Sequence, residues 1–191
     1  MTMTEKITME TFKKVCRAFA EADNLDVMAN HLAQLMVTTL KIKGCAILVL
    51  NPETNELELL GSFGLSPKYL GKGPILADRS IAANLRGESV IVADVTKHNN
   101  IQYPEEAKKE GIAAIVSIPI VFLNEVVGAL RLYHDDVWHV SEQDLDSLHL
   151  VAKNLGVHMT NTRLLNAVQS MSEVIRSALP EALLPFLKVR E

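Results

Sequence analysis

Ser117 and His134 fall within the two apolar runs of residues 111–136, and they are the only pair of nucleophile and base that folding those runs into a hairpin could bring near one another. No third group to orient the histidine is identifiable. Ser117 also lies inside an apolar stretch, where a serine bonded to backbone is the commoner case. His134, Asp135, Asp136 and His139 are close enough in sequence to suggest a metal cluster, yet they form a charged link of the kind that faces water. Trp138, between them, is expected to anchor this link on the core. Cys16 stands in a helical pattern and Cys45 in a strand pattern, with no metal-ligand spacing and no framework of bridges, so both are expected to be buried thiols. His31 has no second His or Cys at i+4 and reads as a residue at the edge of a helix interface. These patterns do not make an enzyme, and no catalytic residue, metal or cofactor is assigned.

The elements that position these residues are legible from periodicity. Residues 111–136 read as two central antiparallel strands, with Asn124 and Glu125 expected at the turn; both faces are apolar, so both must be covered. Met9, Phe12, Val15, Cys16 and Phe19 recur at helical spacing, as do Leu25, Met28, Leu32, Leu35, Met36 and Leu40, with Gly44 as a stop. Strands are expected at Cys45–Leu50, Glu56–Phe63 and Ser89–Ala93. A short helix is expected from about Asp78 to Arg86, and another from Pro104 to Glu110 with Pro at its start and Gly111 after its end. Ser141-Glu142-Gln143-Asp144 then opens a long helix. On it, Val157, Asn161, Leu164, Val168, Met171, Ile175 and Ala178 keep alternating four-three spacing, the seam of a coiled coil. Pro180 and Pro185 end that helix.

With 191 residues, a formal net charge of −4 and a pI near 5.9, the chain has room for one domain with terminal extensions and carries no basic footprint. Nucleic acid is therefore not an expected partner. The apolar runs fall short of bilayer length, and Glu5, Lys6 and Glu10 stand where a signal peptide would need apolar residues, so the protein is expected to be cytoplasmic and free of membrane.

In element order and motif, the chain resembles a GAF domain over about residues 24–165. The resemblance is carried by Gly111-Ile112, then Ile118-Pro119-Ile120 in the first hairpin strand and Val127-Gly128-Ala129-Leu130 in the return strand. It implies an α+β fold in α/β/α layers. An antiparallel sheet of about six strands would carry the terminal helices on one face and a ligand pocket, under short helices and loops, on the other. Residues 1–23 would form an N-terminal helix for dimerisation and signalling, and residues 166–191 an extension of the long helix with a tail.

Several chemistries found among GAF domains are not implied here. The Asn-Lys…Phe…Asp-Glu signature of cyclic-nucleotide-binding members is missing, and the acid by which such members hold the purine is replaced by Arg131. No cysteine follows Cys45, so bilin attachment and methionine sulfoxide reduction lack their thiols. A small-molecule sensor is expected, its pocket lined by Ala46, Phe63, Tyr69, Ile81, Ala82, Tyr103, Ile115 and Ser117. Arg131 interrupts an apolar strand and must find a partner. That partner is either an internal carboxylate from Glu56, Glu58 or Asp94, or an anionic ligand shared with the helix start at Arg79 and Ser80. A parallel homodimer is expected through Phe12, Phe19, Val157, Asn161, Leu164, Val168, Met171 and Ile175, with any output residing in another protein or domain. The alternative is a dimerising scaffold whose vestigial pocket is filled by side chains such as Phe63 and Tyr69.

Overall fold

Two apolar strands, β5 (Ala114–Phe122) and β6 (Glu125–His134), pair antiparallel inside the sheet, β6 at its middle and β5 one strand from the edge. The computed structural model describes residues 7–20, 24–76, 87–97 and 101–178. Around the hairpin, β1 (Gly44–Asn51), β2 (Glu56–Phe63), β3 (Ile75–Leu76) and β4 (Val90–Val92) complete a six-stranded antiparallel sheet in the order β3-β2-β1-β6-β5-β4. The hairpin turn is Leu123-Asn124, one residue earlier than expected, and both residues have positive φ (47° and 66°). Such a two-residue turn matches the twist of the flanking strands. Its first position is normally Asn, Asp or Gly, and a leucine there gives no warning.

One face of the sheet carries α1 (Met9–Ala20), α2 (Leu25–Leu40) and the first half of α5 (Glu142–Ala178). Met28, Leu32, Met36 and Leu40 of α2 and Leu148, Val151, Leu155 and Met159 of α5 close over Cys45, Ile47, Val116, Ile118, Ile120, Leu130 and Leu132. Trp138 joins this core, as expected. Asn24 caps α2, its Oδ1 accepting from the amides of Asp26 (2.8 Å) and Val27 (3.3 Å). The helix ends through Lys41 in the left-handed region, and Gly44 already belongs to β1. Gly156 permits the close approach of α5, since a Cβ there would come within 2.6 Å of the Val121 carbonyl oxygen. At the other edge β3 pairs only with Glu56 and Leu57, and farther along β2 the Ser62 amide donates to Asn30 Oδ1 of α2 at 3.1 Å.

The N-terminal helix corrects two expectations. Its buried stripe is Thr11, Val15, Ala18 and Phe19, which rotates Cys16 out to solvent, so that thiol is exposed while Cys45 is buried. Phe19 stacks on His158 of α5, ring centroids 5.0 Å apart and planes 7° from parallel, and Phe12 packs on the same core. Both phenylalanines, expected at a dimer interface, are committed within their own chain. The Ile7 amide donates to the buried Asp144 Oδ1 at 2.8 Å and fastens the approach to α1 onto the start of α5.

Beyond Met159 no residue of α5 is buried, as far as Ser177. Leu164, Val168, Met171 and Ile175 are each at least half exposed, and Val157 and Asn161 are exposed as well. At 1.5 Å per residue, this unpacked part extends roughly 27 Å past the domain.

Candidate functional site

The second face is built differently. Strand alternation turns Ala46 and Leu48 of β1, Ser117 and Ile115 of β5, and Ala129, Arg131 and Tyr133 of β6 away from the helical core. The short helices α3 (Pro67–Leu70) and α4 (Pro104–Glu110) cover part of this face. Here Ala46, Tyr69, Ile115 and Tyr133 form a small buried cluster with Val92, Ala107 and Ile112. Leu48, Leu57 and Ala129 form another.

Next to the seam between these clusters lies a half-open cleft of about 100 Å³, lined by Ala46, Leu48, Leu57, Leu59, Leu70, Lys72, Gly73, Pro74, Ile75 and Tyr133. Its loop is pinned from α4's approach. Tyr103 donates its hydroxyl to the Pro74 carbonyl at 2.8 Å, and the Gln102 side chain both donates to that carbonyl (2.9 Å) and accepts from the Leu76 amide (3.2 Å). On the α3 side, Ser66 caps its helix while donating its amide and hydroxyl to Glu110 at 2.7 and 2.5 Å.

Charge concentrates at one end. Arg131 is 6% exposed and stands directly opposite Ser117 on β5 and Ala46 on β1. The Tyr133 oxygen accepts from both the Arg131 guanidinium and the Tyr69 hydroxyl, whose rings meet edge to face at 5.7 Å. Burial pushes both phenols upward, and the nearby guanidinium opposes that rise. Lys72 Nζ sits 3.8 Å from the Tyr69 ring centroid and donates to the Tyr69 carbonyl at 3.0 Å. Burial, and then repulsion from Arg131, lower its pKa to about 8 against the opposing pull of Glu110 and Glu106. One cation, Lys72, and one phenol, Tyr133, therefore line a cleft whose other walls are mostly leucine and isoleucine, and Arg131 and Tyr69 stand behind them.

The structure brings together Ala46, Tyr69, Ile115, Ser117 and Arg131 on this face, and Tyr103 on its rim. Phe63 is the exception. A bulge at Leu60 breaks the alternation of β2: Leu59 pairs with Leu48 on the cleft face, but Gly61 pairs with Ile47 and Phe63 with Cys45 on the helical face. Phe63 thus leaves the pocket and is 40% exposed. Ser80, Ile81 and Ala82, with Arg79 and the short helix expected around them, lie outside the described residues. Sequence reasoning missed Tyr133 and Lys72. Tyr133 follows from Arg131 by the two-residue period of a strand, whereas nothing local marks Lys72.

The other groupings do not meet. His134 pairs with Ala114, three residues and about 10 Å along the strand from Ser117, and on the opposite face. Its Nδ1 accepts from the Asp136 amide at 3.0 Å and lies 3.1 Å from Asp135, while its ring leans on Trp138. Among the described residues no three His, Cys, Asp or Glu side chains gather in a metal-binding group. Of the carboxylates considered for Arg131, Glu58 accepts from Asn51 and Asp94 pairs with Lys97.

The architecture is a curled antiparallel sheet with helices on one face and a cleft on the other. The model of the GAF domain matches residues 22–160, and the chain belongs to that family, whose members are sensor modules that bind small molecules. The fold is similar to the GAF domain of a phosphoenolpyruvate-protein phosphotransferase from Coxiella burnetii, with a TM-score of 0.75 and 19% identity over 83% of this chain and 96% of that one. The corresponding domain from Acinetobacter gives 0.72 and 16%, with the same coverages. Free methionine-R-sulfoxide reductase from Neisseria meningitidis, solved with its substrate, gives 0.69 and 15% over 85% and 98%. At these identities the likeness is one of fold. No curated protein matches the chain. Among the described residues no helix is long and apolar enough to cross a membrane.

Proposed function

We propose that the chain is a cytoplasmic, non-enzymatic sensor module whose cleft face takes a small acidic molecule and whose α5 relays occupancy through a parallel homodimer. The observation that carries this reading is the paired positive charge of Arg131 and Lys72 beside the cleft. Burial and then the nearby Arg131 disfavour the charge on Lys72, as its lowered pKa reflects, and an anion beside it would relieve that cost. Residues 24–165 form the binding domain in this scheme, and residues 1–23 and 166–191 serve relay.

The dimer is a second copy laid along the exposed side of α5. The four-three apolar repeat continues from Val157 through Ile175 although the domain ceases to cover the helix at Met159. Asn161 at a seam position would pair with its copy and set the register. Phe12 and Phe19 have no part in it, being used internally.

Thermal shift with a panel of dicarboxylates, monocarboxylates and sugar phosphates, each beside a neutral analogue, tests the ligand class. Acids should raise Tm and their neutral analogues should not; equal shifts from the neutral compounds would refute it. Sedimentation should show a dimer at micromolar concentration, converted to monomer by Val168→Asp.

A second reading rests on Tyr69, which at 5% exposure fills much of the cleft face with the protein's own side chain. That would suit a dimerising scaffold with a vestigial pocket. A native mass spectrum showing a co-purified small acid would exclude it.

A further inference from the structure

Resting on the acid-sensing reading above, we propose that the ligand is a short aliphatic monocarboxylate without an amino group, its carboxylate held by Lys72 and the Tyr133 hydroxyl and its tail seated among Leu48, Leu57, Leu59 and Ile75. The cleft has the two ends such a molecule needs. Lys72 and Tyr133 line one part of it, and four branched aliphatic side chains line the other. Tyr133 lines the cleft beside Lys72, and its phenol, although it interacts with Tyr69 and Arg131, can turn its hydroxyl proton to a molecule in the cleft. A carboxylate accepts from such a donor and from an ammonium at once.

Size limits the tail. A half-open cleft of about 100 Å³ is smaller than the roughly 150 Å³ cavity that holds benzene, which suits an apolar tail of about two to four carbons with the carboxylate beside it at Lys72. Charge limits the head. An α-ammonium group would face Lys72, with Arg131 behind the cleft wall, and Glu110, the acid whose charge most supports Lys72, is already engaged by the Ser66 amide and hydroxyl. The cleft thus separates a branched-chain acid from the amino acid of the same skeleton.

Calorimetry of the full chain with isovalerate, isovaleramide, valine and octanoate makes the test. Isovalerate should bind; the amide, which loses the charge-assisted contact, valine, whose ammonium meets Lys72, and octanoate, whose tail exceeds the cleft, should each bind at least about tenfold more weakly. Lys72→Met should weaken isovalerate at least about tenfold with Tm unchanged or raised. Tyr133→Phe should do the same, but it also removes the acceptor of two neighbours, so Lys72→Met is the cleaner variant. Valine or octanoate binding as tightly as isovalerate would overturn this inference and leave acid sensing intact, as would a dicarboxylate or sugar phosphate that binds when isovalerate does not. If none of the acids binds, both readings fail.

Discussion

The two faces of the sheet are made from the same strands yet are built to different standards. On the helical face, Ile47, Val116, Ile118, Ile120, Leu130 and Leu132 lie in one continuous apolar core sealed by α2 and α5. On the opposite face the buried residues split into two small clusters, and a guanidinium, a serine and two phenols occupy the ground around them. A sheet needs only one dry face to fold, so the second is available for polar groups that a core would reject. Alternate residues of the same strands thereby serve the core and, in the proposed function, recognition.

That contrast can be broken most strongly on the helical face. Ile118→Ala, at a site with no exposure, should cost about 2–5 kcal/mol by denaturant unfolding. A loss under 1 kcal/mol would mean that the core collapses around the gap. Gly156→Ala should come next, at about 1–3 kcal/mol, because its Cβ would overlap the Val121 carbonyl and lift α5 from the sheet. On the cleft side, Ser66→Ala removes the cap of α3 and its tie to Glu110, and should cost about 1 kcal/mol.

The smallest effect is a pH dependence. Lys72 faces Arg131 of β6, Glu106 and Glu110 of α4, the Tyr69 ring of α3 and, at 5.8 Å, the ring of Tyr103. Its folded pKa of about 8 lies below the unfolded value of 10.5, so between those values the unfolded chain binds more protons and stability rises with pH. The gap in Tm between Lys72→Met and the natural chain should therefore narrow from pH 7 to pH 10.5. A constant gap would show that Lys72 is not strained by its surroundings. An acid ligand should bind progressively less well as pH rises through about 8, where the free lysine loses its proton.

How much of this was legible follows the same division. The helical face is a matter of period, and α2, α5, β2 and the hairpin strands stand close to where their apolar spacing puts them. The cleft face depends on events without a period. One extra residue in β2 carried Phe63 to the wrong side, a left-handed leucine moved the hairpin turn, and Lys72 gains its meaning only from side chains brought by three other elements. Arg131 could be singled out because a charge in an apolar strand is conspicuous; Tyr133, two residues on, was hidden by being unremarkable in a strand.

The hydrogen bond from the Ser62 amide to Asn30 bears on how copies of this protein can meet. An edge strand invites another chain to continue the sheet, and β3 screens only the first two residues of β2. Asn30, itself held by donating to the Asp26 carbonyl, occupies an amide that an incoming strand would need. That side chain obstructs sheet extension at this edge, so the dimer proposed above would form on the helix that runs beyond the domain, where association is finite and has a register.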